Sequence, residues 1–328
     1  MKKSAHTRRG WPGSHLLLAT LAGAIVAGCE HRAAGGATPD RSGPWQQVGQ
    51  VRAASLNEIS GIQSISSELL VVHNDDGAAK IHVIDLAGNL RASILLGPAI
   101  NRDWEDITVI PTERGPRLVV GDFGDNFTVH RDIRLYLTAV PLAAVDVPLQ
   151  GPSAVEHVIT LRYPDGPRDC EAMAYDPVSD QVLLLTKRDQ PPRLYGIDRT
   201  TLLHSDEATL QWLGTLPVLR PPTAWELLTN PLGAWISQPT GLDISADGRL
   251  AAVLTYRSLY LFERRAEEAW SDAFLRQPLE IVGPPGFYEE AVSFTQEGNA
   301  VIVTTEKLPA PIYRMNLERL KGQSVTTP

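Results

Sequence analysis

A short phrase recurs five times along this chain: a polar residue, one intervening residue, then an apolar residue that opens a strand-like run. The copies are Ser60-Gly61-Ile62, Glu105-Asp106-Ile107, Glu171-Ala172-Met173, Thr240-Gly241-Leu242 and Glu290-Ala291-Val292. Two residues before each stands another polar side chain: Glu58, Asp103, Asp169, Gln238 and Tyr288. Residues i and i+2 of a strand share one face, so the two sets are expected to stack. Six of these ten residues are carboxylates and none is Lys or Arg. Six like charges held partly away from water repel strongly unless some protonate, meet cations or bind metal. Oxygen-only donors suit a hard cation such as Ca2+ rather than zinc. Glu105, Glu171, Glu290, Ser60, Thr240, Glu58, Asp103 and Asp169 are its expected ligands. The alternative is that these side chains cap strands and hold water.

A second recurring position follows the next strand of each repeat. Alignment of the strand ends puts Asn74, Asp122, Lys187, Tyr256 and Glu306 in one ring, with Asp75, Arg188, Arg257 and Lys307 just beyond. A rim that is cationic on one side and acidic on the other suits a small anionic ligand bridged to a metal. A solvated loop collar has the same composition. The runs His73-Asn74-Asp75-Asp76-Gly77 and Gly121-Asp122-Phe123-Gly124-Asp125-Asn126 favour tight turns with side-chain capping. They can also coordinate calcium, though neither has EF-hand spacing. His73 is the histidine beside this rim, and with Lys187 and Arg188 it completes the catalytic candidates. No G-x-S-x-G elbow and no H-E-x-x-H is present.

These residues need elements that converge. Successive copies lie 45, 66, 69 and 50 residues apart, and strand-rich units of roughly 40 to 50 residues are the blades of propellers. An all-β, five-bladed β-propeller is therefore expected, each repeat holding four strands separated by turn residues. The fifth repeat supplies only three, at 291–294, 301–304 and 312–315. Residues 45–51 belong to no repeat and are expected to complete that blade, closing the ring and removing an exposed edge. The insertion at 217–237 carries Trp225 and Trp235 and a helix expected near 223–227. It either covers a pocket or fills gaps between blades three and four.

The first residues tell a different story. Lys2, Lys3, Arg8 and Arg9 precede an apolar run and then Val26-Ala27-Gly28-Cys29, which resembles a bacterial lipoprotein signal peptide with its lipobox. That resemblance implies a signal at 1–28, acylation of Cys29, a flexible tether at 29–44 and a folded domain at 45–328. Glu30 at the second mature position implies the outer membrane, with the domain facing the periplasm. If Cys29 carries lipid, Cys170 has no partner within the chain. The net charge of -8, with no Lys/Arg cluster after residue 28, argues against a nucleic-acid partner.

Asn57-Glu58-Ile59-Ser60-Gly61-Ile62, Trp104-Glu105-Asp106-Ile107, Cys170-Glu171-Ala172-Met173-Ala174-Tyr175-Asp176-Pro177, Thr240-Gly241-Leu242-Asp243 and Thr305-Glu306-Lys307 together resemble the SdiA-regulated propeller family. They are also similar to the phytase esterase-like propellers. The resemblance implies a calcium-binding centre and phosphoester chemistry. The chain departs from a Glu-Gly-Ile form at Asp106, Ala172 and Ala291, and at Ser60 and Thr240. Two functions follow as expectations: a lipid-anchored Ca2+-holding module that binds a ligand or an envelope protein, or a metal-dependent phosphoesterase. In the second, Glu105, Glu171 and Glu290 hold the cation while Lys187 and Arg188 receive phosphate. A third expectation is an assembly scaffold that uses the blade faces.

Overall fold

Runs such as Leu70-Val71-Val72 and Leu183-Leu184-Leu185 are continuously apolar rather than alternating. Such runs suit strands covered on both faces, and so they fold. The computed structural model describes residues 43–141, 153–284 and 289–320. After β1 (Trp45–Val51), blade one consists of β2 (Ile59–Ser64), β3 (Leu69–Asn74), β4 (Lys80–Asp85) and β5 (Leu90–Gly97). Blade two is β6 (Trp104–Ile110), β7 (Arg117–Asp122), β8 (Ile133–Ala139) and, past the short β9 (Ser153–Ala154), β10 (His157–Arg162). Blade three is β11 (Cys170–Asp176), β12 (Gln181–Thr186), β13 (Arg193–Asp198) and, past α1 (Arg199–His204) and β14 (Glu207–Thr209), β15 (Gln211–Thr215). Beyond α2 (Ala224–Thr229), blade four is β16 (Pro239–Ile244), β17 (Leu250–Thr255), β18 (Ser258–Glu263) and, past α3 (Trp270–Ala273), β19 (Leu279–Val282). Blade five is β20 (Glu289–Phe294), β21 (Ala300–Thr305) and β22 (Ala310–Asn316), with β1 as its outer strand.

The chain is a five-bladed β-propeller, and it closes as its repeat predicts. Strand β1 runs antiparallel to β22, Trp45 opposite Met315 and Val51 opposite Ala310. The first strands β2, β6, β11, β16 and β20 lie side by side in sequence order, and β20 returns to β2. Five buried apolar clusters result, one in each gap between blades, including the gap between blades five and one. Two short strands were not legible: β9 pairs parallel with β5, and β14 pairs parallel with β10. Each covers an outer edge that would otherwise present unpaired backbone groups.

Neighbouring inner strands belong to different sheets, so side chains satisfy their facing backbone groups. Asp106 Oδ2 accepts from Met173 N at 2.7 Å and Thr108 Oγ1 from Tyr175 N at 3.2 Å. Asp243 Oδ2 accepts from Phe294 N at 2.7 Å, and Ser293 Oγ from Ser64 N at 3.0 Å. Buried N–H groups demand such partners. Asp106 and Asp243 thus tie blades together.

Candidate functional site

All five repeated polar residues stand at the same local irregularity. The pairing of the first strand with the second slips between Ile59 and Gly61, Trp104 and Asp106, Cys170 and Ala172, Pro239 and Gly241, and Glu289 and Ala291. The residue passed over is Ser60, Glu105, Glu171, Thr240 or Glu290. A β-bulge leaves one residue without a ladder partner and re-aims its side chain. All five side chains are buried.

Ser60 meets Glu105 directly, and one cation lies among the acids. Ser60 Oγ lies 2.8 Å from Glu105 Oε2 and 2.9 Å from the Glu105 carbonyl oxygen. Thr240 Oγ1 donates to the Glu289 carbonyl at 2.8 Å. The cation is Lys187, placed on the rim by sequence reading but buried here, where its ammonium donates to Glu171 Oε2 and to the Tyr256 hydroxyl at 3.1 Å. Burial alone would lower the Lys187 pKa, but Glu171 and Glu290 outweigh it and raise it. Burial lifts Glu171 and Glu290 above the usual carboxylate range although Lys187 opposes the shift. Glu105 is raised by burial and then by Glu171. The chain itself therefore supplies one positive charge among three buried carboxylates.

The ladder registers correct the expected ring. Asn74 pairs with Ile59 and Asp122 with Trp104, the places held in later blades by Thr186, Thr255 and Thr305. Lys187, Tyr256 and Glu306 therefore correspond to Asp75 and Phe123. A slip of one residue reverses which face a side chain takes, and the others do turn elsewhere. Asn74 Nδ2 donates to the Ser55 carbonyl at 3.1 Å. Asp122 Oδ1 accepts from Arg102 N at 3.2 Å and Asp103 N at 2.9 Å.

Asp75 completes a compact acidic group. Among the described residues, Glu58, Asp75 and Asp76 can each place one carboxylate oxygen so that all lie within 4.8 Å of one another. A 3.0 Å hydrogen bond from Asp75 N to the Glu58 carbonyl holds the two segments together. Asp75 Oδ1 is buried without a hydrogen-bond partner. Burial, then the charge of Glu58, pushes the Asp75 carboxyl up to about 6. Glu58 is raised by burial and by Asp76. Sequence reading put Glu58 and Asp75 in different sets and left Asp76 in a turn. The Asn74-Asp75-Asp76-Gly77 run carried the signal.

The remaining candidates are occupied structurally. Asp169 accepts from Asp125 N at 3.0 Å and from Arg188 Nε, while Arg188 also donates to Asn126. Asp103 is raised by burial and by Asp169. Gly124 lies so close to Glu105 and Asp103 that a Cβ there would overlap both carboxylates. His73 does not reach the rim: it is fully buried, edge-on to Trp104 at 5.6 Å, with Nδ1 3.1 Å from the Asn74 carbonyl. Burial lowers its pKa to about 4, and its side chain has no exposed surface. Cys29, the tether up to residue 42 and Tyr288 lie outside the described residues. No protein-family model matches this chain, and no curated protein matches it.

Proposed function

We propose that this chain is a lipid-anchored envelope binding module whose channel mouth takes a Ca2+ ion at Glu58, Asp75 and Asp76. The carrying observation is the convergence of those three carboxylates within 4.8 Å, one of them with a buried oxygen that has no partner. Burial first, and then their mutual repulsion, raises Asp75 and Glu58, and a divalent cation would relieve the repulsion. Ca2+ takes six to eight oxygens, so three side chains leave positions for water or for an oxygen of a bound ligand or envelope protein. Membrane attachment through Cys29 rests on the lipobox-like Val26-Ala27-Gly28-Cys29.

Phosphoester hydrolysis gains no comparable support. Lys187 and Arg188, the expected phosphate receivers, are already engaged by Glu171 and Asp169. Calorimetric titration of the chelator-treated chain tests the metal reading. Asp75→Asn is expected to weaken Ca2+ binding by about tenfold or more, given the weight of carboxylate ligands, while Glu171→Gln leaves it unchanged. Loss with Glu171→Gln instead would move the ion to the axis, and no Ca2+ uptake at all would sink the proposal. For the anchor, Cys29→Ser should shift the protein from the membrane pellet to the soluble fraction.

A further inference from the structure

The connection between blades three and four roofs a cavity of about 300 Å3. Its walls are mainly apolar, with Pro191, Pro192, Leu216, Pro217, Leu219 and Pro222 among them. Lys187, Asp189, Gln190, Ser237 and Gln238 are the polar residues that line it. The Gln238 Oε1 is buried and has no hydrogen-bond partner. Gln238 stands where the first three blades carry Glu58, Asp103 and Asp169, so one acid of the repeat is replaced by a neutral amide next to this cavity.

The roof is built to keep its shape. Arg257 is buried and donates to the carbonyls of Arg220 at 2.9 Å and Pro221 at 3.3 Å, and to Glu226 Oε2 at 3.0 Å. Ser237 Oγ donates to the same Arg220 carbonyl at 2.5 Å. Helix α2 is closed by a capping box in which Thr223 and Glu226 satisfy each other's backbone N–H groups. A roof fixed in this way lowers the ordering entropy of binding.

We propose that this cavity binds a small neutral ring compound bearing a hydroxyl, a phenol or cyclic alcohol. The volume sits at the lower end of small-molecule sites, which combine apolar walls with a few placed polar groups. The ammonium of Lys187 has three hydrogens, of which Glu171 and Tyr256 take two. One hydroxyl can accept the third and donate to Gln238 Oε1. An anion is disfavoured, because Glu105, Glu171 and Glu290 already surround that ammonium. A cation is disfavoured by the ammonium itself, and the Asp189 carboxylate in the lining is already paired with Arg168 and Arg193. This site is independent of the metal reading, and neither Glu58, Asp75 nor Asp76 lines it.

The test is a ligand-observed NMR titration of the full chain, with chelator present so that Ca2+ plays no part. The probes are p-cresol, p-toluate and 4-methylbenzylammonium, alike in size and different in charge. Saturable p-cresol binding is expected at about 1 mM or tighter, within reach of a compact ligand of this size. Gln238→Leu should weaken it by about fivefold or more, the effect of one lost buried hydrogen bond. Ala234→Phe, which fills the cavity from the roof, should abolish it, while the melting temperature verifies that both variants fold. Absence of saturable p-cresol binding, tighter binding of either charged probe, or p-cresol binding unmoved by both substitutions would each overturn the proposal.

Discussion

Lys187 decides what the axis can do. A strand pattern shows which residues share a face of one strand, so the acids of the first strands were legible as a converging set. Lys187 was not, because it lies beyond the end of β12 and reaches Glu171 across the hairpin, sixteen residues away. Its absence from the repeated positions made a metal look necessary there. Removing one partner from a buried ionic group leaves the other charges uncompensated, at a cost of about 3–5 kcal/mol. Lys187→Met is therefore expected to lower unfolding free energy by about that much, measured by urea denaturation. Adding Glu171→Gln to it should restore part of the loss, since fewer carboxylates then lack a countercharge. A single variant as stable as the parent would show that the ammonium does not hold this group together.

At the scale of elements, the repeated bulge and the closing strand are the two devices that set the site. The bulge itself was not legible: the repeat showed where a polar residue recurs, not that an extra residue is inserted into each ladder. The unseen ladder is why the second ring was misaligned by one residue in blades one and two, where Asn74 and Asp122 stood in for Asp75 and Phe123. By contrast, residues 45–51 were assigned correctly from what blade five lacked, and β1 spans those residues. Strands of two or three residues, β9 and β14, leave no periodicity to read. The closing strand also meets blade one: Gln50 N donates to the Ala87 carbonyl at 3.0 Å. A Cβ on Gly49 would stand 2.7 Å from Ala87 Cα and closer still to the Leu86 carbonyl, so backbone must move to admit it. Gly49→Ala is expected to cost about 2 kcal/mol or more, the range of strain that packing cannot absorb. The same change should speed proteolytic cleavage within residues 43–51, because β1 is the element displaced. Unchanged stability together with unchanged cleavage would contradict this account of closure.

Across the whole molecule, five separate cores and one ring of buried acids make stability depend on pH in an unusual direction. Glu105, Glu171 and Glu290 are held above the ordinary carboxylate range, burial being the largest cause, and Asp243 is pushed up to about 7, also by burial. A carboxyl whose folded pKa is raised keeps its proton in the fold while the unfolded chain has lost it. Its contribution is thus fully present below the unfolded pKa and is lost as pH rises through the folded one. Two buried histidines act oppositely: His73 and His82 are lowered from 6.5 to about 4, chiefly by burial. The unfolded chain binds their protons first, so they make stability rise between about 4 and 6.5 and add no slope above it. Above about pH 6.5 the acids alone remain, and each proton held only by the folded state tilts stability downward by about 1.4 kcal/mol per pH unit. The urea midpoint should therefore fall between about pH 6.5 and pH 8, where paired carboxylates in most proteins have finished titrating. Glu171→Gln should flatten that fall, because a neutral amide has no proton to lose at the axis. A midpoint that holds level or climbs over this interval would mean that Lys187 keeps all three axial carboxylates ionised, not only the single charge it balances.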